Sequence, residues 1–251
     1  MIERDRWGEI AVLRLARGKV NALDVELLQA LGDAFAGLER EDARAVVLTG
    51  IGGAFSAGVD LFRVLEGGAD YVDRFLPLLS QVLFRVFTFP RPVIVAMNGH
   101  AIAGGCVLAC AGDLRLMADG KGRVGVPELR VGVPFPTVAL ELVRFVASAQ
   151  SLAEIVYGGG TYAPEEARRR GLVDEVVPAD DLLERACIAA ESYAAIPAGA
   201  FALAKRELRQ PTVDRIARFE REMDAQVRAM WCAPASMAAI RAYLDKTIGK
   251  R

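Results

Sequence analysis

The chain has 251 residues, enough for one sizeable domain or for a domain with an appendage. Lys and Arg total 31 and Asp and Glu total 32, so the net charge of −1 gives no reason to expect nucleic acid or an anionic membrane as a partner. The hydrophobic fraction of 53% is high, and this surplus of apolar residues predicts contacts between subunits as well as a core.

The cysteine and histidine content excludes several further classes. Cys106, Cys110, Cys187 and Cys232 lack the spacing of a disulfide framework, and the first residues do not resemble a signal peptide, so a reducing cytoplasm is the expected compartment. His100 is the only histidine, so we expect no metal site. Since no Gly-x-Ser-x-Gly turn accompanies it, the pattern also argues against a serine or cysteine hydrolase.

The first quarter of the chain predicts a hairpin, a helix and a buried strand. Trp7 to Leu15 alternates polar and apolar residues and is typical of a strand paired with the start of the chain. A loop containing Lys19 ends at Asp24, a helix-capping residue, and Val25 to Arg40 then has apolar residues at helical spacing. Arg44 to Thr49 is expected to form the next buried strand.

A glycine-rich segment from Gly50 to Leu61 follows this strand. Glycines after a strand also occur in dinucleotide-binding turns, but Phe55 stands where the third glycine of that motif would be. No clear second strand ending in an acid follows, which weakens that interpretation further. Ala57-Gly58-Val59 is better interpreted as a turn that can present a backbone N–H, with Asp60 capping the next segment.

The central stretch predicts a strand, a turn and a short helix. A mobile loop at Gly67-Gly68 and a helix over Tyr71 to Phe89 are expected to precede it. Pro92 to Met97 is rich in β-branched residues and is typical of a buried strand. The small residues Ala103-Gly104-Gly105 allow close approach of a ligand, and the helix from Cys106 to Ala111 would direct unpaired N–H groups toward an oxygen anion.

The stretch from Pro92 to Gly112 contains no charged residue, so a membrane span is the alternative interpretation. Polar and glycine residues interrupt its middle, however, and a spanning helix tolerates such breaks poorly. A strand over Asp113 to Met117 comes next. Glu128 then follows as a lone carboxylate among apolar residues. An anion-stabilising turn followed by one acid in such surroundings is suited to enolate chemistry.

The second half predicts mostly helices and ends in a helical tail. The expected helices span residues 137–147, 149–157, 161–170, 180–195, 200–209, 213–232 and 234–248, with one strand at 172–178. Alternating strands and helices followed by helices alone indicate an α/β core with largely parallel strands and a C-terminal helical appendage beyond Pro197.

Three stretches resemble the crotonase, or enoyl-CoA hydratase/isomerase, family. They are K-V-N-A-L at Lys19–Leu23, A-F-S-A-G-V-D-L at Ala54–Leu61 and P-V-I-V-A-M-N-G-H-A-I-A-G-G-C at Pro92–Cys106. The segments at 125–134 and 165–178 and the helical tail continue the match, so it covers nearly the whole chain in order. The resemblance implies a spiral of ββα units over residues 1–196, a helical trimerisation region over 197–251 and an acyl-CoA thioester substrate.

The resemblance also implies roles for particular residues. The thioester oxygen would lie between the backbone N–H groups of Val59 and Gly104, which are the two turns already found from the residues alone. The carbonyl of Ala57 would contact the adenine, Lys19 would meet the phosphates of coenzyme A, and Glu128 would be the catalytic acid. The other residues expected to contact substrate are Gly58, Asp60, Leu61, Ala103, Gly105, Val107, Pro127, Val131 and Phe135. Asp60 and Asp113 are expected to act mainly as caps or turn residues.

One departure from the family pattern decides the expected reaction. Hydratases of this family usually carry a second glutamate, and here Val107 occupies that position. The single-glutamate pattern is most similar to Δ3,Δ2-enoyl-CoA isomerases, so we expect Glu128 to shift the double bond of an enoyl-CoA through an enolate. By composition alone Glu128 would be an exposed loop residue, whereas the resemblance predicts a buried base.

Alternative functions stay open at this point. They are a single-acid hydratase or another crotonase reaction, such as decarboxylation or thioester hydrolysis, and, from a different class, a non-catalytic acyl-CoA-binding subunit. Glu141 is an outside candidate for a second acid. No cofactor is expected beyond the coenzyme A of the substrate, and a homotrimer or hexamer is the expected assembly.

Overall fold

The computed structural model describes residues 1–248. Its ten strands are β1 (Ile2–Trp7), β2 (Ile10–Leu15), β3 (Ala45–Gly50), β4 (Ala54–Ser56), β5 (Val93–Met97), β6 (His100–Ile102), β7 (Leu114–Ala118), β8 (Val124–Gly125), β9 (Thr161–Tyr162) and β10 (Glu175–Val177). Its ten α-helices are α1 (Val25–Leu38), α2 (Leu61–Thr88), α3 (Gly104–Cys110), α4 (Glu128–Val131), α5 (Thr137–Val146), α6 (Leu152–Gly158), α7 (Pro164–Arg169), α8 (Leu182–Ala194), α9 (Ala198–Cys232) and α10 (Pro234–Ile248).

The chain repeats a unit of two strands and a helix three times, as β3-β4-α2, β5-β6-α3 and β7-β8-α4. The first strand of each unit joins a six-stranded sheet of order β1-β2-β3-β5-β7-β10, which is parallel except for the β1–β2 hairpin. The second strand joins a small sheet of order β4-β6-β8-β9, in which β4, β6 and β8 are parallel. The expected spiral of ββα units is therefore confirmed.

The central strands β3 and β5 of the large sheet are buried on both faces, which explains their continuous apolar runs, whereas the edge strand β1 is mostly exposed. In β3, Val46 and Leu48 belong to the main core, which also contains residues of α1 and α2. Ala45 and Val47 point to the opposite face, where they share a second core with residues of α8. This alternation follows from the two-residue period of a strand.

The expected loop at Gly67-Gly68 is wrong in part. Helix α2 starts at Leu61, capped by the carboxylate of Asp60, and runs to Thr88 with one break at Gly68, whose φ of 54° and ψ of −143° are not helical. Glycine accepts this conformation because it has no Cβ. Gly68 alone therefore separates two helical segments by a sharp kink, where a longer mobile loop was expected.

The expected division of the C-terminal helices at Pro211 is also wrong, because α9 continues from Ala198 through this proline to Cys232. A proline removes one helical hydrogen bond, so continuity must come from tertiary packing. Ile216, Val227 and Trp231 of α9 provide it, since all three lie in the main core. The C-terminal helices thus share one core with the spiral, and their role in oligomerisation stays a prediction.

Within residues 1–248, no single helix has the length and apolar composition needed to cross a membrane. One pair, Ala179–Ala194 with Ala198–Cys232, meets the length and composition criteria only when taken together, and it is bent by 101°. The uncharged central stretch forms β5, β6 and α3 instead of one long helix.

Candidate active site

Three turns meet at one edge of the small sheet. Each turn follows the carboxyl end of a parallel strand, β4, β6 or β8, and each leads into the helix of its unit, α2, α3 or α4. Carboxyl ends of adjacent parallel strands form the usual ligand-binding edge of an α/β sheet. This topology brings together Val59, Gly104 and Glu128, which are far apart in the sequence.

The first turn leaves the N–H of Val59 free. Leu23 lies beside it and forms two bonds with its neighbours: the N–H of Leu23 donates to Gly58 O at 2.7 Å, and the N–H of Asp60 donates to Leu23 O at 2.9 Å. The intervening Val59 N–H donates no hydrogen bond to any described residue. Gly58 has a φ of 84°, a conformation that favours glycine, and this geometry sets the direction of the next N–H.

The second turn presents the N–H of Gly104 beside the first. The N–H of Ala103 is bonded to Gly125 O at 2.8 Å, while that of Gly104 has no acceptor within the described part of the chain. A Cβ at Gly58 would lie 3.1 Å from the Gly104 nitrogen, and one at Gly104 would lie 3.8 Å from the Val59 nitrogen. The two free N–H groups are therefore neighbours, which suits a shared oxygen anion.

Ala103 holds this turn in a strained conformation. Its φ is 51° and its ψ is −127°, which makes it one of two non-glycine residues with positive φ among residues 1–248. Such a conformation costs on the order of 1–3 kcal/mol, and this kind of strain is concentrated at functional sites. A glycine would adopt this conformation without strain, so the strain follows from the Cβ of alanine at this position.

The third turn supplies a buried acid. Glu128 is the first residue of α4, only 7% of its surface is exposed, and its Oε2 has no hydrogen-bond partner among the described residues. Burial raises the pKa of Glu128 from its ordinary value of 4.5 to about 8, against a smaller opposing effect of its own backbone N–H. The expectation of a buried, rather than exposed, carboxylate is therefore confirmed.

The surroundings of Glu128 are apolar. Val107 is 1% exposed on α3, and the buried Val126, Val131 and Phe135 belong to the same core. The thiol of Cys106 is also close enough for the charge of Glu128 to affect its pKa. Its pKa is raised chiefly by a hydrogen bond to Cys110 and by burial, and the charge of Glu128 adds to the effect. Helix α3 therefore lies within electrostatic range of Glu128.

The structure places the other expected substrate residues around these turns. Lys19 lies on an exposed loop, and the next residue, Val20, accepts a hydrogen bond from the Ala57 N–H at 2.9 Å. The Ala57 carbonyl accepts no hydrogen bond from the described residues. The side chain of Asp60 is used as the cap of α2. Gly105 packs so closely on β4 that a Cβ there would lie 2.4 Å from Ser56 O. Leu61 starts α2 and Pro127 precedes α4.

Two other acids serve different purposes. Glu141 on α5 is buried and paired with Arg215 at 2.8 Å and with Arg144 at 3.2 Å. Asp113 binds Lys205 at 2.7 Å and Arg209 at 2.8 Å, which anchors α9 to the large sheet. Both carboxylates are thus engaged in ion pairs. Among residues 1–248, no group of three or more potential ligands could hold a metal ion.

Asn21 shapes the site, and the sequence alone did not identify it. It is fully buried with a φ of 49°, and its Nδ2 donates to Ala54 O at 2.9 Å. Its own carbonyl accepts the hydroxyl of Ser56 at 2.7 Å. These bonds hold the Lys19–Leu23 loop against β4 and the first turn. The asparagine in K-V-N-A-L was a usable signal, because asparagine tolerates positive φ better than most residues.

Comparison with known proteins identifies the family of the chain. The sequence model of the enoyl-CoA hydratase/isomerase family matches residues 5–248. A putative enoyl-CoA hydratase of Thermus thermophilus is 41% identical over 174 residues, which cover 68% of this chain and 66% of that protein. The mitochondrial enoyl-CoA delta isomerase 1 of Mus musculus is 29% identical over 255 aligned residues, covering 100% of this chain and 88% of that protein. The chain therefore belongs to the enoyl-CoA hydratase/isomerase family.

A solved structure supports the fold independently. The human mitochondrial Δ3-Δ2-enoyl-CoA isomerase superposes with a TM-score of 0.94, covering 100% of this chain and 99% of that one. The sequences are 24% identical, so this likeness establishes the crotonase fold and not the reaction. The protein is thus an enzyme of its family, and the choice between isomerase and hydratase depends on the chemistry of the site.

Proposed function

We propose that the protein moves the double bond of a 3-enoyl-CoA to the 2-position, with Glu128 as its only acid–base group. The observation that carries the proposal is the single unpartnered carboxylate at the site. The three turns hold two acids, Asp60 and Glu128, and Asp60 caps α2. A double-bond shift requires one base that serves two carbons, so a single carboxylate is sufficient.

The proposed reaction balances within these residues. The Glu128 carboxylate removes a proton from C2, and the electron pair moves into the thioester carbonyl to give a dienolate. The N–H groups of Val59 and Gly104 stabilise the oxygen anion, a contribution worth about 2.7–4 kcal/mol for one such donor. The protonated Glu128 then delivers the proton to C4, and the double bond forms between C2 and C3. A pKa raised to about 8 suits a base that works near neutrality.

Val107 supports isomerisation over hydration. Hydration needs a water molecule oriented for attack as well as a proton donor, and a valine side chain cannot bind that water. Val107 lies within α3, the helix that begins at Gly104, and is almost fully buried. We therefore propose that Val107 forms an apolar surface opposite Glu128 that excludes water from the site.

The experiment that tests Glu128 compares binding with turnover. Glu128→Gln keeps the shape of the side chain but cannot accept a proton, so acyl-CoA binding should persist while isomerisation falls by about 10²–10⁴-fold, the usual contribution of a general base. Glu141→Gln is the matched control, since it removes another buried carboxylate and should keep most of the activity. A Glu128→Gln variant that retains most of its turnover would exclude Glu128 as the base.

A hydratase is the second candidate, favoured by the name of the Thermus thermophilus relative, which is described as a putative enoyl-CoA hydratase. In that case Glu128 would act alone with a water held by backbone groups. Rates on 2-enoyl-CoA and 3-enoyl-CoA separate the two reactions.

The expected substrate, compartment and assembly accompany this proposal. The substrate is an acyl-CoA thioester and no other cofactor is required. Free thiols at all four cysteines suit a cytoplasmic protein. Exposed apolar side chains on α9, including Leu208 at 70% and Met230 at 53% exposure, suit a homotrimer or hexamer. Sedimentation should give a multiple of the 27.0 kDa chain, and a stable monomer at micromolar concentration would contradict this assembly.

A further inference from the structure

We propose that Trp231 of α9 is a positioning residue that holds Glu128 in place through the loop Gly132–Pro136. The proposal rests on the proposed function, because it assigns Trp231 a part in orienting the same base. It is drawn from a continuous set of contacts between the C-terminal helices and the segment that follows Glu128.

Glu128 is linked to this loop through its own backbone. Helix α4 has a single turn, and Gly132 ends it with a φ of 94°. The N–H groups of Gly132 and Val133 both donate to the backbone carbonyl of Glu128, at 3.0 and 3.1 Å. A shift of Gly132 or Val133 therefore moves the backbone that carries the acid.

The loop needs support from outside itself. Pro134 and Pro136 have no N–H group, so this loop can form few backbone hydrogen bonds of its own. The indole N–H of Trp231 donates to Pro134 O at 2.9 Å, and the tryptophan is only 2% exposed. The carbonyl next to Val133 is thus fixed by a rigid side chain from the main core.

Helix α9 makes a second contact with the end of the loop. Asp224 accepts the N–H of Thr137 at 3.0 Å and its hydroxyl at 2.6 Å, and so provides a side-chain cap for α5 that its own flanking residues do not supply. Asp224 precedes Trp231 by seven residues, two helical turns, so both lie on one face of α9. A Cβ at Gly132 would lie 2.7 Å from the Ala239 Cβ of α10, which leaves the loop little room to move.

Because of these contacts, we expect loss of the Trp231 hydrogen bond to lower kcat more than it changes KM. The loop holds the base, whereas the coenzyme A moiety is expected to bind on the first turn near Ala57. Loss of the indole donor should misplace Glu128 relative to C2 without removing a contact to coenzyme A. Displacements of about 1 Å caused by distant substitutions can cost about 100-fold in rate.

The chain offers a matched control because it contains two tryptophans. Trp7 donates its indole N–H to Glu191 at 3.0 Å and is 42% exposed on the surface. Trp231→Phe and Trp7→Phe therefore make the same chemical change in two places. We expect Trp231→Phe to lower kcat for 3-enoyl-CoA by about tenfold to 100-fold with KM changed by less than about threefold. Trp7→Phe should stay within about twofold of wild type in both.

Two further measurements separate positioning from stability. In the Trp7→Phe protein Trp231 is the sole tryptophan, so its emission should change when saturated butanoyl-CoA binds, with binding confirmed by calorimetry. In the same protein, 3-benzothienylalanine at position 231 keeps the shape of the ring but lacks the N–H. The protein that carries this analogue should show the same loss of kcat when it is assayed well below its own melting temperature. This measurement remains decisive even if Trp231→Phe folds poorly.

Each outcome decides between the alternatives. If the wild type binds butanoyl-CoA and turns over enoyl-CoA, but removal of the Trp231 N–H leaves kcat unchanged, positioning by Trp231 is wrong and the proposed function stands. A lowered melting temperature with unchanged kcat likewise rules out positioning, since Trp231 would then contribute to stability alone. If the wild type binds no acyl-CoA, the proposed function fails and this inference fails with it.

Discussion

Replacing Glu128 by glutamine is expected to stabilise the protein in alkaline solution while it strongly lowers turnover. The carboxylate is buried among apolar residues, and its Oε2 has no partner among residues 1–248. Ionising such a group in the folded protein is costly because the charge loses its hydration. Glutamine has nearly the same shape and never carries the charge, so the variant avoids this cost.

The size of the effect follows from the pKa of Glu128, which burial raises from its ordinary value of 4.5 to about 8. Between these pH values the folded protein keeps a proton that the unfolded chain releases, so the free energy of unfolding falls as pH rises. The contribution of the Glu128 proton to the free energy of unfolding is fully present below about pH 4.5 and is lost by about pH 8. At about 1.4 kcal/mol for each pH unit, the total loss is about 5 kcal/mol.

Chemical denaturation of both proteins at pH 5 and pH 9 measures this effect. Other titrating groups are shared by the two proteins, so their contributions largely cancel in the difference. Between pH 5 and pH 9, the free energy of unfolding of the variant should rise by about 4 kcal/mol relative to that of wild type. The value is close to the total because most of the range between the two pKa values of Glu128 lies between these pH values. A stability difference that is equal at both pH values would show that Glu128 titrates normally and that burial does not raise its pKa.

Three other substitutions test separate parts of the structure. Ala103→Gly should keep activity and raise the melting temperature slightly, because relief of about 1–3 kcal/mol of strain exceeds about 0.4–1 kcal/mol of added chain entropy; a lower melting temperature by calorimetry would contradict this. Asp113→Asn should lower the free energy of unfolding by about 3–5 kcal/mol in denaturant titrations, because Lys205 and Arg209 lose their buried counter-ion. Val107→Glu should raise the rate of hydration of 2-enoyl-CoA, and an unchanged rate would mean that the pocket has no room for water.

The fold could be predicted largely from local patterns and family motifs. The β-branched runs of β3 and β5 and the capped start of α1 identified their elements nearly to the residue. The element boundaries were predicted wrongly where tertiary packing overrides the local conformational preference of the residues. Pro211 lies inside α9 because residues farther along the helix are buried in the core, and no local signal reveals that packing.

The residues proposed for the site could be selected from the sequence, whereas the residues that hold them in place could not. The turns at Val59 and Gly104 contain glycines whose purpose can be inferred from sequence, and Glu128 follows by family position. Trp231 lies about a hundred residues after the loop that it contacts. A contact of that separation depends on the path of α9 over the spiral, which neither spacing nor composition specifies.

We propose that a single carboxylate at Glu128 and the buried, apolar side chain of Val107 make this enzyme an isomerase. The most direct test is the ratio of kcat/KM for isomerisation of 3-enoyl-CoA to kcat/KM for hydration of 2-enoyl-CoA, measured on the unmodified protein. We predict that isomerisation is much faster. Hydration that equals or exceeds isomerisation would contradict the claim, since some other group would then have to hold the attacking water.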